Sequence, residues 1–151
     1  MVDTTLCYIE KDGKYLMMHR NKKKNDLNEG KWVGVGGHVE EGETPDECLV
    51  REVYEETGLT LTSFRLRGVI EFVSDKWEDE RMYLYSADQF TGQLNYDCNE
   101  GTLEWVAKED IFDLPLWEGD EYFLEELIAG HDDINLRLVY HGDELIYCNW
   151  N

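Results

Sequence analysis

Apolar residues fall in short alternating runs along most of the chain, the period expected of strands. Residues 5–9 and 15–19 are two such runs separated by Lys11-Asp12-Gly13-Lys14, whose Asp-Gly step suits a tight turn, so the chain opens on a predicted β-hairpin. Further strand-like stretches occur at residues 61–73, with interruptions, at 81–85 and at 103–107. Residues 135–140 and 144–147 flank His141-Gly142-Asp143 as a closing hairpin. The period changes at Thr44-Pro45-Asp46-Glu47, which combines an N-cap threonine, a proline at the first helical position and a glutamate placed for a capping box. Cys48, Leu49 and Val53 give the helix a buried side, and Gly58 is suited to stop it, so a helix is predicted from Pro45 to Thr57. A second helix is predicted over residues 120–128, where Tyr122, Phe123, Leu124 and Leu127 have helical spacing. Strands interleaved with two helices imply an α/β fold, a mixed sheet sandwiched between helices.

A length of 151 residues suits one core, and the expectation is a single domain over residues 1–151. With 42% hydrophobic residues the chain is no disordered tail. Its formal charge of -20 repels phosphate backbones and anionic lipid, so neither a nucleic-acid polymer nor a membrane is the expected partner. An anionic small molecule can still bind if divalent cations lie between it and the carboxylates. The exception to the acidity is residues 21–30, a polar loop with a lysine cluster that can face phosphates. Cys7, Cys48, Cys98 and Cys148 are too dispersed for a zinc site or a disulfide framework and are read as reduced thiols. The first residues lack a secretory pattern and no apolar run is long enough to span a bilayer, so the expected location is cytoplasmic. The sequence carries no signal for oligomeric state.

Candidate chemistry concentrates on the first helix. Glu52, Glu55 and Glu56 stand at i, i+3 and i+4, so their carboxylates share a face and repel one another. Hard oxygen donors at this spacing suit Mg²⁺ or Mn²⁺. Arg51 precedes Glu55 by four residues and can hold a carboxylate in orientation. The preceding loop, Gly34-Val35-Gly36-Gly37-His38, lets the backbone turn sharply and approach a ligand. Taken together, Gly37, Glu43, Arg51, Glu52, Val53, Glu55, Glu56, Gly58 and Leu59 match the pattern GX₅EX₇REUXEEXGU, with U aliphatic, at every specified position. By this motif the chain resembles the Nudix hydrolases.

That resemblance implies the Nudix fold and metal-dependent hydrolysis of a phosphoanhydride in a nucleotide. It implies that the carbonyl of Gly37 and the carboxylates of Glu52, Glu55 and Glu56 hold the metals, while Arg51 and Glu43 position the helix and loop. A helix carboxylate, Glu52 or Glu55, or else Glu100, accepts the proton of the attacking water; motif spacing leaves the choice open. Beyond the box, Lys31-Trp32, Val33-Gly34 and residues 114–123 are similar to the MutT-type oxidised-purine nucleoside triphosphatases. In that subgroup a further carboxylate reaches the metals; Glu100 is the best match and Asp97 the fallback. Trp117 and Asp120 match a stacking surface and a base-reading carboxylate, whereas Val33 and Gly119 depart from residues that animal members use on the purine. Arg20 or one of Lys22 to Lys24, with Lys23 the leading lysine, is expected on a terminal phosphate; His38 is read as structural. The resulting expectation is conversion of a nucleoside triphosphate, such as 8-oxo-dGTP, to monophosphate and pyrophosphate. The alternatives are a hydrolase of ADP-ribose or a dinucleoside polyphosphate, and a non-catalytic nucleotide sensor, against which the intact glutamates weigh.

Overall fold

Alternation along the first two strands decides the layering. In β1 (Val2–Lys11) Cys7 and Ile9 enter one apolar cluster while Tyr8 enters another, and all three are fully buried. In β2 (Lys14–His19) Leu16 and Met18 join the first cluster, Tyr15 and Met17 the second. Strands apolar on both sides belong in the middle of a layered structure, with cover on each face. The turn between them has Asp12 at φ 53° and Gly13 at φ 75°, the left-handed pair of a tight hairpin.

The computed structural model describes residues 1–22 and 28–151. The chain continues through β3 (Trp32–Val33), α1 (Pro45–Thr57), β4 (Leu59–Ser74), β5 (Glu80–Gly92), β6 (Thr102–Ala107), a 3₁₀ helix at Lys108–Asp113, α2 (Asp120–Ile128), β7 (Leu136–His141) and β8 (Glu144–Trp150). The strands form one eight-stranded sheet in the order β3-β2-β1-β5-β4-β7-β8, with β6 also paired to β2. It is mixed: β1 with β5 and β4 with β7 run parallel, the other pairs antiparallel. Leu49 and Val53 of α1 pack into one cluster, and Phe123, Leu124 and Leu127 of α2 into the other. The predicted sandwich and both helix spans are therefore observed, while β4, β5 and β8 run longer than their apolar patterns indicated. The 3₁₀ helix was not anticipated; one buried side chain, Ile111, fixes it, too few to set a period.

Local chemistry explains the first helix. Thr44 accepts from the Glu47 backbone N–H at 3.1 Å while Glu47 accepts from the Thr44 N–H at 3.0 Å, closing the capping box. Gly58 ends the helix at φ 81°, and its N–H donates to the carbonyl of Tyr54. Among the described residues no helix is long and apolar enough to cross a membrane.

Candidate active site

The loop before α1 runs against β1 without room for side chains. Cys7 and Val35 exchange both backbone hydrogen bonds, at 2.7 and 3.0 Å, and the Thr5 N–H donates to the carbonyl of Gly37 at 2.9 Å. A Cβ at Gly36 would lie 1.9 Å from the Thr5 carbonyl oxygen. At Gly37 it would meet the carboxyl group of Glu52 at 2.4 Å. The loop and the helix thus close on each other at Gly37 and Glu52, and the Cys48 thiol of α1 also donates weakly to the Gly37 carbonyl at 3.7 Å.

Arg51 joins these parts. Its Nε and Nη2 donate to the two oxygens of Glu43 at 2.7 and 2.9 Å, a bidentate pair, while Nη1 donates to Glu52 at 2.8 Å and Glu55 at 3.2 Å, and Nη2 also reaches the His38 carbonyl at 3.2 Å. Donation from Arg51 holds the Glu43 carboxyl down at about 2. The expected i, i+4 contact with Glu55 exists, but it is the weakest of the Arg51–carboxylate hydrogen bonds.

A cleft of about 450 Å³ opens beside this loop. Gly37, Glu52, Glu56, Glu100, Arg20, Trp117 and Asp120 all line it, so residues from α1, α2 and four loops meet there. Glu55 and Arg51 do not line it. The Glu55 side chain is 56% exposed, against 17% for Glu52, so the carboxylates expected on one face divide, and only Glu52 and Glu56 turn to the cleft. Lys23 falls outside the described residues. Lys22 instead pairs with Asp97 and donates to the Cys98 carbonyl. Arg20 donates to Glu100 at 3.1 Å, bringing together a residue expected on phosphate and one expected on metal.

Burial and repulsion act on the carboxylates of the cleft. Burial first, then hydrogen bonding with and the charge of Glu100, push Glu56 up to about 10. Burial also raises Glu52, partly offset by Arg51. Glu56 therefore favours its neutral form unless a cation compensates it, and the all-oxygen donor set of the cleft fits a hard divalent ion. Among the described residues no three acidic, imidazole or thiol groups converge closely enough to ligate one ion together.

The other end of the cleft is apolar, lined by Leu6, Val33, Phe72, Met82, Trp117 and Tyr140. Trp117 packs edge-on to Tyr140, Lys31 lies over its ring, and its indole N–H donates to Asn28 at 2.7 Å. It is therefore both a core residue and a cleft wall. Gly119 has no space for a side chain, because Leu138 and the Tyr140 hydroxyl would each lie 2.6 Å from its Cβ. Asp120 is 4% exposed and makes no capping hydrogen bond, so it is not simply the N-cap of α2. Burial, and next the charge of Glu80, raise its carboxyl to about 8, so the ionised form assumed from sequence is disfavoured at neutral pH. Sequence reading missed Asn28, Phe72, Glu80, Met82 and Tyr140 as cleft residues. Phe72, Met82 and Tyr140 are indistinguishable from core positions by alternation, and Glu80 lies in the charged run Glu78-Asp79-Glu80-Arg81.

The chain is similar to several known proteins. The family model of the NUDIX domain matches residues 2–127. The Nudix hydrolase YvcI of Bacillus subtilis is 32% identical over 140 residues, covering 90% of this chain and 85% of that protein. An oxidized purine nucleoside triphosphate hydrolase of Mus musculus is 33% identical over 108 residues, 70% of this chain and 68% of its own. Among solved structures, a MutT protein from Bacillus halodurans superposes with a TM-score of 0.89 at 25% identity, covering 99% of this chain and 97% of that one.

Proposed function

Because the chain belongs to the Nudix hydrolase family, a pyrophosphohydrolase family acting on phosphoanhydrides, we propose that it hydrolyses a purine nucleoside triphosphate to monophosphate and pyrophosphate. The observation that carries this reading is a single cleft with carboxylates and Arg20 at one end and an apolar, aromatic wall with Asp120 at the other. Its volume lies within the usual range of small-ligand sites, and its two ends match the two ends of a nucleotide. The similarity to the mouse enzyme supports an oxidised purine as the base.

Glu52, Glu56, Glu100 and the carbonyl of Gly37 would hold the divalent ions, Mg²⁺ or Mn²⁺. When bound, these supply Lewis acidity at the anhydride and lower the pKa of a coordinated water. Arg51 keeps Glu52 and Glu43 in register, so the loop and α1 present their oxygens as one unit. Glu52 accepts the proton of the attacking water; it lines the cleft, whereas Glu55, the other helix candidate, is turned to Arg51 and solvent. Arg20 holds the terminal phosphate once its carboxylate partner Glu100 is engaged elsewhere. Trp117 and Phe72 give the base flat surfaces.

The test is incubation of the protein and Mg²⁺ with ordinary and oxidised-guanine and oxidised-adenine triphosphates, ADP-ribose and a dinucleoside polyphosphate, with products separated by chromatography. Fastest turnover of an oxidised purine triphosphate is expected. Preference for ADP-ribose or the dinucleoside would overturn the substrate reading, and binding without turnover of any would leave a sensor.

A further inference from the structure

Carboxyl groups in the apolar half of the cleft are unused by the hydrolytic chemistry. Asp120, nine-tenths buried, lines the cleft, and no hydrogen bond among the described residues reaches its carboxyl. Glu80, from the first position of β5, lines the same end among Leu6, Phe72, Met82 and Tyr140. Its Oε2 accepts from the Thr4 hydroxyl at 2.6 Å, which fixes the carboxyl and leaves its other oxygen uncommitted to that bond. Glu80 is near enough for its charge to raise Asp120. Carboxyls desolvated beside one another in an apolar pocket disfavour double ionisation, so one tends to keep the proton. Burial raises both carboxyls, but the Thr4 hydroxyl offsets this at Glu80, whereas no donor among the described residues reaches Asp120, so charge on the pair is favoured on Glu80 and the proton on Asp120.

On the reading of this cleft as a nucleotide site, we propose that Glu80 is a base-specificity residue that accepts N–H donors of a guanine-type base edge, with Asp120 beside it as a second contact. An ionised carboxylate accepts only, and a guanine-type edge offers adjacent ring N–H and exocyclic amino donors. An adenine-type edge places a ring acceptor there and is repelled. Neutral Asp120 supplies one O–H donor and one carbonyl acceptor, which complements a neighbouring oxo group or N–H. Glu80 thereby takes the acceptor role that sequence alone gave to Asp120.

The experiment is calorimetric titration of GMP and AMP into wild type, Glu80→Gln and Thr4→Val in EDTA, so that neither metal nor turnover enters. Glu121→Gln, which removes the same charge from an exposed position of α2 outside the cleft, serves as the control. Wild type should favour GMP, Glu80→Gln should reduce the GMP-to-AMP affinity ratio by about tenfold, Thr4→Val should move it the same way by less, and Glu121→Gln should leave it. Equal weakening of both nucleotides by Glu80→Gln, no change, or a wild type that binds neither overturns the proposal. A normal binding ratio in a protein that hydrolyses no triphosphate would instead sink the proposed reaction and leave the role of Glu80 standing.

Discussion

Replacing Gly37 by alanine separates the catalytic role of the loop from its structural one. The added Cβ lands 2.4 Å from Cδ of Glu52 and 2.6 and 2.7 Å from its oxygens. Carbon–carbon contact relaxes near 3.5 Å, so the carboxylate must retreat by about 1 Å. The clash is with the end of a flexible side chain, and Gly37 is not among the glycines with positive φ, so alanine fits the backbone. The strain on the fold is that of moving one rotamer, on the order of 1 kcal/mol. The hydrogen bond from Arg51 to Glu52 is lost or lengthened with it. A reacting group misplaced by about 1 Å costs roughly two orders of magnitude in rate. Gly37→Ala should therefore melt within a few degrees of wild type in chelator while releasing pyrophosphate about a hundredfold more slowly with Mg²⁺. Gly36→Ala is the counterpart: its Cβ would lie 1.9 Å from the backbone oxygen of Thr5, so it should lower the melting temperature instead. Wild-type turnover in Gly37→Ala would refute the placement of Glu52 in the chemistry.

The remaining expectations concern single groups. Glu52→Gln and Glu56→Gln should each lower turnover by roughly two orders of magnitude or more, and Glu56→Gln should not lower the melting temperature in chelator, since burial already favours its neutral form; unchanged turnover in both would remove the site from α1. Arg51→Ala frees Glu43, Glu52 and Glu55 together, so melting temperature and rate should fall in parallel, and a variant that loses only one would contradict its role as a joint between loop and helix. Burial, with Glu80 next, raises folded Asp120 to about 8, while its unfolded value is about 3.9. The stability tied to its proton is then fully present below about pH 4 and lost as pH rises to about 8. Asp120→Asn lacks that loss, so its melting temperature should gain on wild type between about pH 5 and pH 9; a constant difference across that range would place the Asp120 carboxyl in an ordinary environment.

Much of this architecture is legible in the residues because local rules act alone there. The capping box at Thr44 and Glu47, Pro45 and Gly58 determine α1 at both ends, and its observed span is the predicted Pro45–Thr57. Tyr8 between Cys7 and Ile9 already announces a strand covered on both faces. What sequence spacing could not resolve is competition between partners. Glu52, Glu55 and Glu56 have equivalent claims by helical geometry, but Arg51 and the depth of the helix face turn Glu55 outward and Glu56 inward. The apolar end of the cleft was equally hidden, since Phe72, Met82 and Tyr140 line it while packing in or against the core. Glu80 became visible only once the parallel pairing of β1 with β5 brought it to the cleft and within reach of the Thr4 hydroxyl. The 3₁₀ helix and the longer strand ends owe their form to tertiary pairing rather than to local preference.

We propose that this cleft cleaves a nucleoside triphosphate between its α and β phosphorus atoms, with α1 supplying the carboxylates. Phosphorus NMR of the protein with Mg²⁺ and a purine nucleoside triphosphate follows that bond directly. Resonances of monophosphate and pyrophosphate should grow together, and should be absent with Glu52→Gln. Appearance of diphosphate and inorganic phosphate, or the same products at the same rate with Glu52→Gln, would contradict it.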